Sequence, residues 1–457
     1  MCLRKGFRTS VTELESAQQK IDRFRHRLQS LIISHGRSDQ ADAQSELCSS
    51  TVRMAVSLTG TAMIDLDEFR QDTRDWLAEN CPPGACGAGQ IPFGSKSIEI
   101  EPDTRLWLDR MAVRGWTVPT WPREYGGAAL DNAQYRVLIE ELTRFGARTP
   151  LTGRGVNYIG PTILELGTEE QKQRWLPGIA RGEGGWAMGY SEPGAGSDLA
   201  SLSMRAERFG DELRINGRKT WTSDAMHCDY IFVLARTSVS TKKHEGISLI
   251  LVDMQQPGVL VNPIRLLSGA SPFNETVFED AVASIKDVIG GIGNGWTAGK
   301  RLLQFERSTH AGINISGAQG GRTEANRMPE RVRRYVPLDH GRIADSAIRR
   351  DLIDFQINDH AQRLTQARAI EELKARAPGF TSSAVKLTNA LLIQRGDELM
   401  QSAMGVRALG LVPASGHRDE EIEQVKGWLY RKSLTIAGGT KEVQLNIIAK
   451  RVLGLPD

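Results

Sequence analysis

Apolar residues recur at helical spacing in two long regions of this chain and at strand spacing in the region between them. From Ile64, the residues Phe69, Trp76 and Leu77 share one helical face, and residues 103–114 and 132–145 repeat the pattern between Pro- and Gly-rich turns. Residues 168–175 predict a further helix, with acids early and Lys and Arg late as the helix dipole favours, ending at Leu176-Pro177. Beyond Gly185 the pattern shortens to β-rich runs at 212–215, 230–235 and 247–252, and Asn216-Gly217 reads as a hairpin signal. From Trp296 long helical patterns return, at 296–308, 343–374, 382–403 and 442–452.

This order predicts an α+β multidomain chain: an N-terminal α-helical domain over 63–184, a middle β domain over 185–295 and a C-terminal α-helical domain over 296–457. Residues 1–62 differ in texture. Val11, Leu14, Ile21, Phe24, Leu28 and Ile32 stripe one basic helix, and a polar, Ser-rich stretch follows. Glu13, Glu15 and Asp22 are out of place in a transit peptide, so the segment reads as an appended extension, non-native or disordered, upstream of a start at Met63.

With 457 residues the chain supports two or three cores. A formal charge of +3 gives no electrostatic case for nucleic acid. The apolar stretch 54–64 is too short to span a bilayer, which argues against a membrane anchor. Five scattered cysteines form no CxxC pair, and the eight histidines no HxxxH, so no metal is expected and a reducing, cytoplasmic compartment is the default.

Three stretches are candidates for ligand chemistry. Gly290, Gly291, Gly293 and Gly295 miss the GxGxxG spacing and read as a turn. The run Ser191-Glu192-Pro193-Gly194-Ala195-Gly196-Ser197-Asp198 offers hydroxyls and exposed peptide N–H groups suited to polar cofactor edges, although the same residues serve any tight turn. In Trp221-Thr222-Ser223 an indole beside two hydroxyls suits a planar ring, and suits a half-buried strand end equally well.

Taken with Trp121-Pro122-Arg123-Glu124-Tyr125-Gly126-Gly127 and the tail from Ala437-Gly438-Gly439-Thr440-Lys441-Glu442-Val443-Gln444 to Leu455-Pro456, the Tyr190 to Asp198 loop resembles the acyl-CoA dehydrogenase family. The resemblance runs from about residue 64 to the C-terminus. It implies a helical first domain, a β-barrel or sandwich middle domain, a C-terminal helical bundle, and FAD as cofactor. It implies that Ser191 meets the flavin pyrimidine edge, Ser197 the phosphate-rich tails, Trp221 the isoalloxazine face and Ser223 the region of N5, the hydride acceptor. Gln401 and Thr440 are implied to reach the FAD diphosphate.

The implied reaction is α,β-dehydrogenation of an acyl-CoA thioester in lipid or fatty acid degradation, with electron-transfer flavoprotein or a similar acceptor as partner. It removes a proton from Cα and a hydride from Cβ, so it needs a carboxylate and donors for the charge on the thioester oxygen. Many members place the acid where this chain has Gly438, which leaves only a backbone N–H as an oxyanion donor there. Glu306 falls where long-chain and isovaleryl-type members carry theirs; read without the resemblance, it is a helix-face carboxylate. The Arg-x-x-Phe-Gly element common in the family is absent, and Met404, Lys432 and Leu445 replace common residues. The C-terminal region resembles bacterial types acting on bulky acyl-CoAs, in homo- or hetero-oligomers. Rival expectations are a non-catalytic or half-site partner subunit, and a flavoprotein of the same fold with an oxidase or DNA-associated role.

Overall fold

The computed structural model describes residues 65–87, 98–148, 151–240, 242–310, 324–374, 381–413 and 416–456. The appended segment 1–62 lies outside them. Five helices come first: α1 (Leu66–Asn80), α2 (Pro102–Val113), α3 (Asn132–Phe145), α4 (Gly160–Leu166) and α5 (Glu169–Ala180). Their ends follow local chemistry. Asp131 accepts from the Ala133 and Gln134 amides at the start of α3, and Gly146, at φ 82°, ends it. Leu77, Trp107, Leu108, Met111, Leu138 and Leu142 form the core of this layer.

Contrary to the stop expected at Leu176-Pro177, α5 runs through Pro177 to Ala180. The proline falls in the last turn, where few helical bonds are lost, and Leu176, Ile179 and Ala180 are buried in the shared core. The Trp121 to Gly127 motif forms a packing corner. Tyr125 donates to Glu169 at the start of α5 at 2.8 Å, and a Cβ on Gly127 would stand 2.1 Å from the Trp121 carbonyl oxygen.

The middle region is an eight-stranded sheet: β1 (Trp186–Gly189), β2 (Arg205–Phe209), β3 (Glu212–Ser223), β4 (Tyr230–Arg236), β5 (Ile247–Asp253), β6 (Val259–Ile264), β7 (Phe273–Ser284) and β8 (Val288–Ile289). The strand order is β6-β7-β3-β2-β4-β5-β8, with β1 parallel to β4. A single residue pair, Arg205 with Arg236, joins β2 to β4. The halves on either side of that joint share one core, in which Ile231, Val233, Ile250 and Val252 meet Leu213, Ile215, Phe278 and Ala281. The opposite faces of β4 and β5 carry Phe232, Leu234, Leu249 and Leu251 against the helices. Burial on both faces explains the unbroken apolar runs of these two strands.

The hairpin expected at Asn216-Gly217 does not form: β3 continues to Ser223, and the register against β7 shifts between Ile215 and Gly217 and again between Lys219 and Thr222. Asn216 exchanges two 2.8 Å hydrogen bonds with Asp280 on β7, one with its side chain and one with its amide. Gly217, at φ 148°, absorbs the irregularity beside Met204.

The turn through Gly290, Gly291 and Gly293, all at positive φ, leads into α6 (Gly295–His310). The chain continues with α7 (Glu324–Arg333), a small ribbon of β9 (Leu338–Asp339) and β10 (Arg342–Ile343), α8 (Ser346–Lys374), α9 (Thr381–Met404), α10 (Asp419–Arg431) and α11 (Lys441–Ile447). Helix α6 packs on β5 and on the turn Gly155–Ile159, and α8 packs along α9. Among the described residues no helix is long and apolar enough to cross a membrane.

Candidate active site

Strand β1 delivers the chain to Tyr190 and Ser191, and the following loop is fixed at its base. The Thr220 amide donates to the Ser191 carbonyl at 2.9 Å. Lys219, fully buried on β3, donates to the Tyr190 carbonyl at 3.1 Å and to the Glu192 carboxylate at 2.9 Å. That carboxylate also accepts from the Ser203 amide at 2.7 Å, the Ser203 hydroxyl at 2.8 Å and the Met204 amide at 3.0 Å. Burial pulls the Lys219 ammonium down to about 8, against the pull of Glu192. Burial pushes the Glu192 carboxyl up, but Lys219 and the two amides outweigh it and hold it below its ordinary value. Outside this anchor the loop tip is open: Ser197 is exposed, and a Cβ on Gly194 or Gly196 would meet nothing within 4 Å.

The far end of β3 presents Trp221. Its backbone is left-handed at φ 60° and its side chain is 55% exposed, an unusual pair of features for a large aromatic residue. Its ring stands edge-on to Phe273 at 5.9 Å, and Phe273 stacks on Tyr430 of α10 at 5.8 Å. Ser223 is half-buried at the end of the strand opposite Phe273, and Asp224, also left-handed, pairs with Arg154 at 3.1 Å.

Glu306 is 5% exposed on α6. Burial raises the pKa of the Tyr158 and Tyr190 hydroxyls, and the negative charge of Glu306 raises both further. Burial lowers the pKa of the Lys386 ammonium on α9, and Glu306 opposes that shift. Lys386 donates to the Gly439 carbonyl at 2.7 Å and to the Leu434 carbonyl at 3.3 Å. Gly438 and Gly439 are both left-handed, at φ 65° and 91°.

The expected site residues therefore fall into groups. Ser191, Trp221 and Ser223 lie at one end of the sheet, joined through the Thr220 to Ser191 hydrogen bond. Lys386 is bonded to the Gly438-Gly439 turn through the Gly439 carbonyl, and the charge of Glu306 acts on the same lysine. Thr440 caps α11, its hydroxyl accepting from the Val443 amide at 3.3 Å. Gln401 lies on α9 roughly 22 Å along the helix from Lys386, outside the Glu306 cluster. Its Nε2 is buried with no hydrogen-bond partner among the described residues.

Sequence reasoning missed Lys219, Tyr158, Tyr190 and Lys386. For Lys386 a signal existed: it shares a helical stripe with Ser383, Leu387 and Ala390, all buried, so a cation stood on an apolar face.

Three family models match the chain: the acyl-CoA dehydrogenase N-terminal domain over residues 65–183, the middle domain over 187–281 and the C-terminal domain over 293–453. Acyl-CoA dehydrogenase IpdE1 of Mycobacterium tuberculosis (strain ATCC 25618 / H37Rv) is 36% identical over 395 residues, 86% of this chain and 99% of its own. Among solved structures, the Tcur3481-Tcur3483 steroid ACAD is 30% identical with a TM-score of 0.65, over 86% of this chain and 97% of that one. The ChsE4-ChsE5 complex from Mycobacterium tuberculosis is 26% identical with a TM-score of 0.64, over 87% and 99%.

Proposed function

Since this chain belongs to the acyl-CoA dehydrogenase family and is an FAD-dependent oxidoreductase of that class, we propose that it converts an acyl-CoA to its trans-2-enoyl thioester with Glu306 as the base. The single observation that supports the proposal is the burial of the Glu306 carboxylate, whose charge acts on Tyr158, Tyr190 and Lys386, the lysine that is bonded to the turn containing Gly438.

Three features of the chain fit FAD. The Trp221 indole is exposed beside the Ser191 loop, the space around Gly194 and Gly196 at the tip of that loop is open, and the buried Gln401 Nε2 has no hydrogen-bond partner among the described residues. Ser191, Trp221 and Ser223 would hold the ring end, and Ser197, Gln401 and Thr440 the phosphate-rich part. When bound, FAD supplies the acceptor for the hydride leaving Cβ.

Glu306 takes the Cα proton. The Gly438 N–H donates to the thioester oxygen as negative charge develops there, which makes the α-proton more acidic in the transition state than in the resting thioester. Apolar residues of α6 and the sheet, including Leu302, Phe232 and Leu234, keep water from the carboxylate's side of the helix. The steroid ACAD among the structural relatives supports a bulky, ring-bearing acyl group, and the two-chain ChsE4-ChsE5 complex supports assembly with a second chain.

The test is Glu306→Gln. The variant is expected to hold FAD and bind acyl-CoA normally while dehydrogenation falls by roughly two orders of magnitude or more. Wild-type turnover in a flavin-loaded Glu306→Gln enzyme would overturn the assignment of the base. Flavin that never bleaches with any acyl-CoA, in the wild type and with a partner chain added, would favour the non-catalytic subunit instead.

A further inference from the structure

Lys386 is 5% exposed. A lysine that deep is uncommon, because its ammonium loses water and must be repaid by close partners. Among the described residues its hydrogen bonds go to main-chain carbonyls, Leu434 O at 3.3 Å and Gly439 O at 2.7 Å. These bracket the segment that holds the proposed oxyanion donor.

That segment needs external support. Gly438 and Gly439 are consecutive left-handed glycines, and two adjacent glycines would otherwise sample many backbone conformations. Gln444 supplies part of the support, its Nε2 donating to the Gly438 carbonyl at 3.1 Å and the Gly439 carbonyl at 3.4 Å. Lys386 supplies the rest from another helix. In a planar trans peptide the C=O and N–H point to opposite edges, so holding the carbonyls of Gly438 and Gly439 sets the directions of the Gly439 and Thr440 N–H groups. The Gly438 N–H belongs to the preceding peptide, and its direction follows from the held Gly438 carbonyl through both backbone angles of Gly438. Successive N–H groups turned to one side form a concavity suited to negative charge.

We propose that Lys386 is a positioning residue for proton abstraction, its buried ammonium clamping the Gly439 and Leu434 carbonyls so that the Gly438 turn presents its N–H groups to the thioester oxygen opposite Glu306. The proposal rests on the reading of Glu306 and Gly438 given above. It also puts a positive charge near Glu306, whose negative charge opposes the lowering of the Lys386 pKa by burial. Clamp and charge are separable: Lys386→Met removes both, whereas Lys386→Gln keeps a donor and loses the charge.

The experiment uses the full chain and two readouts. The first is exchange of α-protons of acetyl-CoA in D2O, followed by mass spectrometry on FAD-loaded protein. Acetyl-CoA has α-protons and no Cβ, so exchange reports enolisation without hydride loss. The second is amide hydrogen exchange of peptides spanning 434–444 in protein stripped of FAD. Lys386→Met is expected to retain FAD, to exchange the turn amides roughly tenfold faster, and to slow α-proton exchange roughly tenfold to a hundredfold, below the loss for deleting a donor outright. The KM for acyl-CoA should move much less than kcat, and Lys386→Gln should fall between.

Wild-type α-proton exchange with wild-type amide protection in Lys386→Met overturns the proposal. If Lys386→Met does not fold, Lys386→Gln decides: full α-proton exchange alongside deprotected turn amides refutes the link between clamp and chemistry. Glu306→Gln is the control. Normal exchange in that variant means the base reading has failed, while the amide measurement still tests the clamp by itself.

Discussion

Replacing Lys219 with methionine should damage the flavin loop from beneath, without touching any residue that would contact the cofactor. The lysine is fully buried and makes two hydrogen bonds, 2.9 Å to Glu192 and 3.1 Å to the Tyr190 carbonyl. Removing one member of a buried ion pair costs about 3–5 kcal/mol, because the other charge is stranded. Glu192 keeps three further donors, from Ser203 and Met204, so the lower end, about 3 kcal/mol, is expected. Urea unfolding of the apoprotein should show that loss, and fluorescence titration should show FAD bound at least tenfold more weakly. Adding Glu192→Gln should recover roughly half of the stability, since no buried charge is then left over.

The acid side gives a second signature. Lys219 and the two amides hold the Glu192 carboxyl below its ordinary value in the folded protein. A group depressed in this way contributes stability that is present above its unfolded value and is lost as pH falls through the folded one. The stability gap between wild type and Lys219→Met should therefore narrow as the pH drops below the ordinary value of 4.5. A variant within about 0.5 kcal/mol of wild type at neutral pH, with unchanged FAD affinity, would refute this account of the loop.

Two further substitutions probe the backbone. Trp221→Gly should leave apoprotein stability within about 1 kcal/mol, because it relieves a left-handed φ at an exposed residue. It should cost at least tenfold in FAD affinity by titration, and an equal loss of apoprotein stability would make Trp221 a packing residue instead. Gly217→Ala should destabilise by about 2 kcal/mol, since φ is 148° and the new Cβ would stand 2.9 Å from the Met204 Cα. A neutral melting result there would mean the bulge is not fixed by Gly217.

Features whose determinants lie close together in the chain were legible in the sequence. Helix α3 spans the expected 132–145 because Asp131 and Gly146 cap it within one turn of each end. The helical, β, helical order followed from hydrophobic period alone, and the family models and solved relatives bear out the fold. Asn216-Gly217 misled because its meaning is decided by Asp280 on another strand, 64 residues away. Lys219 is illegible for the same reason: a lysine reads as surface until the carbonyl and carboxylate that hold it are known, and those come from a distant segment, whereas Lys386 left a trace in its apolar helical stripe. Gly438 was read through the acid it lacks. Its φ of 65° gives glycine a backbone reason as well, since a side chain there costs about 1–2 kcal/mol.

The two register shifts in β3 act as a ruler. Between Lys219 and Thr222 the strand spends three steps against two on β7, from Thr276 to Asn274, so the parity of buried and outward residues reverses at Trp221. Lys219 reaches the core on one side of that reversal and Thr222 on the other, and Trp221 is turned outward between them. A one-residue insertion or deletion between Gly217 and Lys219 would shift both residues by one step, sending the lysine toward solvent and the indole inward together. The distance from the loop anchor at Lys219 to the ring platform at Trp221 is thus set by the register of β3 against β7.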